Sequence, residues 1–210
     1  MALLAGCPRC SASVSGAAED WECPEHGPVT PLWRPAEASY DAFVEHLSLA
    51  ESFPTYLPWP LGPGWQVTDF GTVGTPGRAR ASFSAVTGTS DLDGPVEVLL
   101  VAEEPGVGLG ARVARTRHSD PGTEIAGRQP EARLRLGSTS VPLWSISTHD
   151  TDAELDRSVL AGEAEGRWLW VVLRPASAIL LMSDAWKLAD ASEFGPHLVA
   201  TPFGGHPSVW

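Results

Sequence analysis

The spacing of apolar residues changes period once along the chain. Over residues 35–50, Tyr40, Phe43, Val44 and Leu47 recur at i, i+3, i+4 and i+7. That spacing predicts a helix with one apolar stripe. Ser39 is placed to cap its start, and Pro54 bars its continuation. His46 falls beside the stripe and reads as a packed or half-exposed histidine rather than a ligand.

From Trp65 onward the pattern turns to short runs that predict strands over residues 66–73, 78–86, 96–102, 132–136, 141–147, 157–164, 167–173 and 178–183. Their separators are mostly short and rich in Gly, Pro, Ser or Asp. This implies antiparallel pairing, since parallel neighbours need long crossovers. Arg80, Ser82 and Ser84 alternate with Ala81, Phe83 and Ala85, which predicts one face open to water. In residues 167–173, Trp168, Trp170 and Val172 share one face, and Leu169, Val171 and Leu173 share the other. A strand apolar on both faces is central in its sheet. A second helix is predicted over 109–117, and the Gly- and Pro-rich tail after Phe194 reads as irregular. Residues 56–65, YLPWPLGPGW, read as extended and polyproline-like, with Trp59 and Trp65 either packed on the core or offered to a partner.

Ahead of the helix, chemistry rather than apolar period organises the chain. All three cysteines lie in Cys7-Pro8-Arg9-Cys10 and Cys23-Pro24-Glu25-His26. C-x2-C followed by C-x2-H is a four-ligand metal pattern. Zn²⁺ accepts S and N ligands tetrahedrally and is the first choice; iron, which a Cys₃His set also holds, is the second. Four protein ligands leave no open position, so the metal is structural. Residues 11–22 are long enough for a hairpin, with Gly16 in its turn and Asp20 near the return. Gly27 lets the chain reverse behind the ligands. Three thiolates on Zn²⁺ leave one negative charge, which Arg9 is placed to offset. The fold class is therefore α+β, mainly β. A zinc ribbon (1–35) is followed by a helix and Pro-rich connector (36–58), then by a mostly antiparallel β-rich domain (59–210).

Charge narrows the partners. With 14 basic and 26 acidic residues the chain carries −12, and Lys187 is its only lysine. Residues 1–35 hold two arginines against four carboxylates, a net −2. Nucleic-acid binding is not expected from such a ribbon. Residues 1–6 lack a basic start and run directly into the first cysteine pair, so they do not read as a signal peptide. No apolar run approaches the roughly 18 residues of a membrane span. Metal-binding thiols without a disulfide framework imply the cytoplasm.

Residues 106–111, GVGLGA, fit a G-x-G-x-x-A dinucleotide fingerprint. Glu103 and Glu104 precede them where a pyrophosphate needs a positive field, and the flanking pattern is not βαβ. A flexible turn is the plainer reading. His149 with Asp150 and Asp152, and His118 with Asp120, read as solvated loops rather than metal sites. His197 and His206 lie in the tail, without helical spacing between them, and do not read as ligands. Lys187, beside Trp186, reads as a surface lysine and not a Schiff base. There is no G-x-S-x-G, H-E-x-x-H or G-x4-G-K-[ST].

The stretches CPRC with CPEHG, YLPWPLGPGW, LVAEEPGVGLGARVA, PLWSI, AGEAEGRWLWVVLRP and LLMSD resemble a zinc-ribbon family of high-GC bacteria catalogued as a domain of unknown function. The resemblance spans most of residues 7–184 and implies the ligands Cys7, Cys10, Cys23 and His26. Some members are labelled phosphotransacetylase. This chain, short, acidic and without an evident basic pocket, gives that label no support. Two functions stand against each other. One is a zinc-stabilised binding or scaffold protein that engages a protein partner through a Trp-rich sheet surface. The other is an enzyme or small-molecule sensor with a pocket near Glu103, Glu104 and the glycine loop. The residues offered for such a surface or pocket are Trp59, Trp65, Glu103, Glu104, Trp144, Trp168 and Trp170. No catalytic constellation assembles, which favours the first.

Overall fold

The computed structural model describes residues 3–17, 20–149, 156–182 and 186–210. The expectations for Asp150, Asp152 and Ser183 lie outside the described residues. In chain order come β1 (Leu3–Gly6), β2 (Ser15–Ala17), β3 (Asp20–Cys23), β4 (Gly27–Pro28), β5 (Leu32–Pro35), α1 (Tyr40–Ala50) and β6 (Tyr56–Pro58). Then follow β7 (Gln66–Thr75), β8 (Arg78–Ser90), β9 (Gly94–Glu103), α2 (Leu109–Ala114), α3 (Gly122–Ile125), β10 (Ala132–Leu136) and β11 (Thr139–Ser145). The last strands are β12 (Ser158–Ala164), β13 (Arg167–Arg174) and β14 (Lys187–Asp190).

The fold is mainly β, as the pattern predicts. One large sheet of 11 described strands runs β1, β5, β7, β8, β9, β13, β12, β11, β10, β14, β6, and β2, β3 and β4 form a small separate one. Pairing in the large sheet is antiparallel except between β10 and β14. Strand β13 lies between β12 and β9, with Trp170 opposite Ala161 on one side and Val101 on the other. Its two faces enter two different cores. Leu169, Val171 and Leu173 pack with Phe43, Phe70, Leu100 and Leu160. Trp170 and Val172 pack with Phe83, Leu99, Leu109 and Val113. Fully burying each such side chain contributes roughly 1.5–3 kcal/mol.

The structure corrects several expectations, four of them in the sheet, its covering segments and α1. Ser82 and Ser84 do not face water. Both are about 1% exposed and donate at 2.5 Å to the carbonyls of Pro54 and Tyr56. The large sheet therefore rolls until its last strand, β6, lies over β8, and the serines satisfy backbone that would otherwise be buried without a partner. Residues 56–58 are not polyproline-like: they pair with β14. The segment Ala176–Leu181 is a 3₁₀-helix and not a strand.

The fourth correction concerns α1. Ser39 caps it, its hydroxyl accepting from the Ala42 N–H at 3.3 Å. The buried face, however, is Ala42, Phe43, His46 and Ala50, while Tyr40 and Val44 are each 42% exposed. A histidine replaces part of the apolar stripe because two hydroxyls meet it. Its Nε2 is 2.9 Å from Thr55 Oγ1 and its Nδ1 is 2.7 Å from Thr72 Oγ1. Burial pushes this imidazole down to about 3, so it is neutral in the fold.

Among the described residues no helix is long and apolar enough to cross a membrane.

Candidate metal centre

Strand β1 leads from the edge of the large sheet into Cys7. The first knuckle closes with the Arg9 N–H donating to Cys7 Sγ at 3.4 Å. The hairpin β2–β3 then returns the chain to Cys23, with Ala17 opposite Asp20. Gly16 is not in the turn; it sits opposite Trp21 within the strands, where an added Cβ would stand 2.0 Å from the Asp20 carbonyl oxygen. In the second knuckle the His26 N–H donates to the Cys23 carbonyl at 3.3 Å. Gly27, at φ +66°, then turns the chain back into β4, a conformation that disfavours a Cβ.

The ligand atoms of Cys7, Cys10, Cys23 and His26 all lie within 4.8 Å of one another. A tetrahedral zinc shell demands edges of about 3.8 Å between sulfurs and about 3.6 Å from sulfur to nitrogen, given its bond lengths. Cys10 Sγ and Cys23 Sγ are 3.6 Å apart. His26 Nδ1 lies 3.7 Å from Cys7 Sγ and 3.6 Å from Cys23 Sγ. These three edges fit, and the donor set suits Zn²⁺. Cys7 and Cys23 are buried, Cys10 is half-buried and His26 is exposed. Burial pushes the Cys7 thiol up to about 11. Burial also pushes Cys23 upward, but hydrogen bonds from His26 and the Glu25 backbone outweigh it and hold that thiol at about 6. The metal-free cluster thus holds protons that a metal must displace, so affinity falls with acid.

Two arginines tie this small module to the body. The Arg9 guanidinium donates to the carbonyls of Val107 at 3.1 Å and Gly106 at 2.9 Å. Arg9 therefore docks the first knuckle on the glycine loop, while its backbone N–H meets Cys7 Sγ. Arg112, on α2, donates to the Cys7 carbonyl and lies 4.4 Å over the Trp210 ring. Nothing local in the sequence marks Arg112, which is 105 positions from its acceptor.

The glycine loop is not a nucleotide cradle. Glu103 is 1% exposed and occupies the N-terminus of α2, accepting from the Leu109 N–H at 2.8 Å. Its other oxygen accepts from Trp170 Nε1–H at 2.8 Å. Burial pushes this carboxyl up to about 7 against the pull of those donors. An added Cβ on Gly110 would stand 2.1 Å from Trp170 Nε1, so the loop's glycine makes room for the indole.

Glu103 and Trp170 are consequently removed from the proposed surface. Both are buried and bonded to each other. Glu104 is half-exposed and paired with Arg80 at 2.9 Å. Trp59 stacks on Phe194 with centroids 4.0 Å apart. Trp59 and Trp65 pack against one core of the sheet, and Trp168 packs against the other. Trp144 donates to the Arg128 carbonyl at 3.0 Å. Of the candidate tryptophans, Trp59 and Trp65 thus lie with one core and Trp168 and Trp170 with the other. Asp120 accepts from the Gly122 N–H at 2.8 Å, and Lys187, His118, His197 and His206 are exposed.

One feature of the site contradicts the sequence reading of a chain without a basic pocket. An open groove of about 830 Å³ runs between the metal cluster and α2, lined by Arg9, Arg112, Arg115, Arg117, His26 and His149 among others. No carboxylate is among its described lining residues.

Residues 1–209 match the model of a protein family described as a family of unknown function (DUF6758). No curated protein and no solved structure matches the chain.

Proposed function

We propose, for a chain that belongs to the DUF6758 family of unknown function, that residues 1–35 form a zinc ribbon holding one structural Zn²⁺ and that the protein binds a ligand without transforming it. The observation that carries this is the convergence of Cys7, Cys10, Cys23 and His26 from two knuckles to within 4.8 Å. Cys₃His closes the shell, so the metal's part is to fix the knuckles, not to polarise a substrate. What the knuckles fix is the wall of the groove, since Arg9 and His26 both line it. The groove takes the place of the Trp-rich sheet surface as the binding face, because Trp170 and Glu103 lie in the core. This favours the small-molecule reading over the scaffold reading. Three reduced thiols fit a cytoplasmic setting. The ribbon character fits the motif resemblance to a zinc-ribbon family of high-GC bacteria.

Metal analysis of untagged protein tests the reading. One zinc per chain is expected, falling close to none in Cys10→Ser. Substoichiometric zinc in well-folded wild-type protein, with no iron in its place, would refute it.

A further inference from the structure

The groove beside the metal cluster gathers four of the arginines of a chain whose net charge is −12. Like charges gathered on one wall repel one another, and such an arrangement is stabilised by a bound anion. Two of the four have structural partners: Arg9 holds Gly106 and Val107, and Arg112 holds Cys7. These bonds go to neutral carbonyls, so neither charge is cancelled by its hydrogen-bond partner. Arg115 and Arg117 are exposed, and neither guanidinium is hydrogen-bonded to a described residue. Asp156, a carboxylate that Arg115 feels, is already bonded to Arg157 at 2.6 Å and lies 3.7 Å from Arg174.

We infer that this groove binds a small molecule bearing a diphosphate group. The inference deepens the proposed function and rests on it for the placement of Arg9 and His26. Charge sets the class. Four guanidiniums against the single negative charge of a Zn²⁺–Cys₃His centre leave three positive charges, and a diphosphate carries roughly −3 near neutral pH. The guanidinium fork matches phosphoryl oxygens two at a time. His26 turns its Nδ1 to the sulfurs, which leaves Nε2 as the ring nitrogen free to face the groove that His26 lines. The lining holds no tryptophan, tyrosine or phenylalanine, so no stacking platform selects a nucleobase. The volume suits a small ligand. A nucleic-acid strand would have to approach a strongly acidic molecule over a much longer path.

The test is calorimetric titration of the zinc-loaded full chain with inorganic pyrophosphate at low salt, with zinc content measured before and after. Saturable binding is expected. It should weaken by about tenfold or more in Arg115→Gln/Arg117→Gln, which removes two charge-assisted partners. It should be unchanged in Arg133→Gln/Arg135→Gln, which makes the same charge change at two exposed positions on β10. Absence of binding, or equal loss in both double variants, overturns the inference. Citrate binding as tightly as pyrophosphate overturns the phosphate assignment, and an RNA oligomer binding more tightly overturns the small-molecule assignment. Pyrophosphate binding by a chain that holds no zinc would sustain the groove while the zinc reading fails. A zinc-replete chain that ignores pyrophosphate would do the reverse.

Discussion

The Cys/His module and strand β13 are built in opposite ways. Across residues 11–17 and 20–30, Cys23 is the one buried position among the described residues, and β2 is exposed throughout. In β13, five consecutive residues from Leu169 to Leu173 are each 1% exposed or less. The module has almost no apolar interior, and in the proposed reading four metal–ligand bonds stand in for one. The strand has no ligands and depends on two apolar cores. Where they meet, β1 pairs with β5 in the large sheet and arginines bridge the rest. A mutation should therefore be felt on one side of this divide or on the bridge, according to which means it removes.

The largest effect is expected in the sheet. Trp170→Ala removes a fully buried indole and leaves Glu103 without its donor. A loss of about 3–5 kcal/mol is expected in urea unfolding, with zinc content unchanged in the folded fraction. Zinc loss at the same urea concentration as sheet unfolding would erase the distinction between the two regions.

Next come two buried titrating groups whose effects have opposite sign. His46 is held at about 3, below its ordinary 6.5. Its contribution is present above pH 6.5 and is lost as pH falls toward 3, because the unfolded chain takes the proton. Glu103 is raised from 4.5 to about 7, so the folded state binds the proton more tightly. Stability from this group is full below pH 4.5 and is lost as pH rises through 7. The two effects oppose each other between about pH 4.5 and 6.5. Glu103→Gln should leave the His46 effect uncompensated and make acid destabilisation of the sheet steeper. Parallel pH–stability curves for wild type and variant would contradict this.

Smaller effects belong to the bridge. Arg9→Ala and Arg112→Ala should each cost about 1 kcal/mol, as bonds to carbonyls at partly exposed sites. They should also speed zinc release to a chromophoric chelator while leaving the sheet's urea midpoint nearly unchanged. Unaltered release rates would show that the module is held without them.

The smallest effect is predicted at Trp168. It shares a face with Trp170, but its Nε1–H is buried without a hydrogen-bond partner among the described residues. Trp168→Phe removes an unsatisfied donor and should change stability by about 1 kcal/mol or less, in either direction. The same substitution at Trp170 breaks a 2.8 Å bond to a buried carboxyl and should be clearly destabilising. Equal losses would remove the difference between the two indoles.

The expectations that held rest mostly on local signals, though Gly16 and the Tyr40–Val44 stripe show that a local signal can also mislead. The two knuckles, the Ser39 cap, the Gly27 reversal and the two-faced character of β13 all depend on residues within a few positions of one another. The serines of β8 read as solvent-facing because nothing nearby in sequence announces that β6 will cover them. His46 looked marginal to its helix because Thr55 and Thr72 supply its partners from other elements. Residues 178–181 carry an apolar run that suits a strand, yet they fold as a 3₁₀ segment against β13. The basic groove was the least visible feature. Its arginines are distributed between residues 9 and 117, and the whole-chain charge points the other way. Net charge describes the surface as a whole and does not reveal how a fold distributes it.

If metal orders the module and apolar burial orders the sheet, the two regions should respond separately to metal removal. Amide hydrogen exchange of the full chain, with and without a strong zinc chelator, tests it most directly. Residues 7–30 should lose protection when the metal is withdrawn, while the amides of β9, β12 and β13 keep theirs. Unchanged protection of residues 7–30 after complete zinc removal would contradict it, as would loss of protection in both regions together.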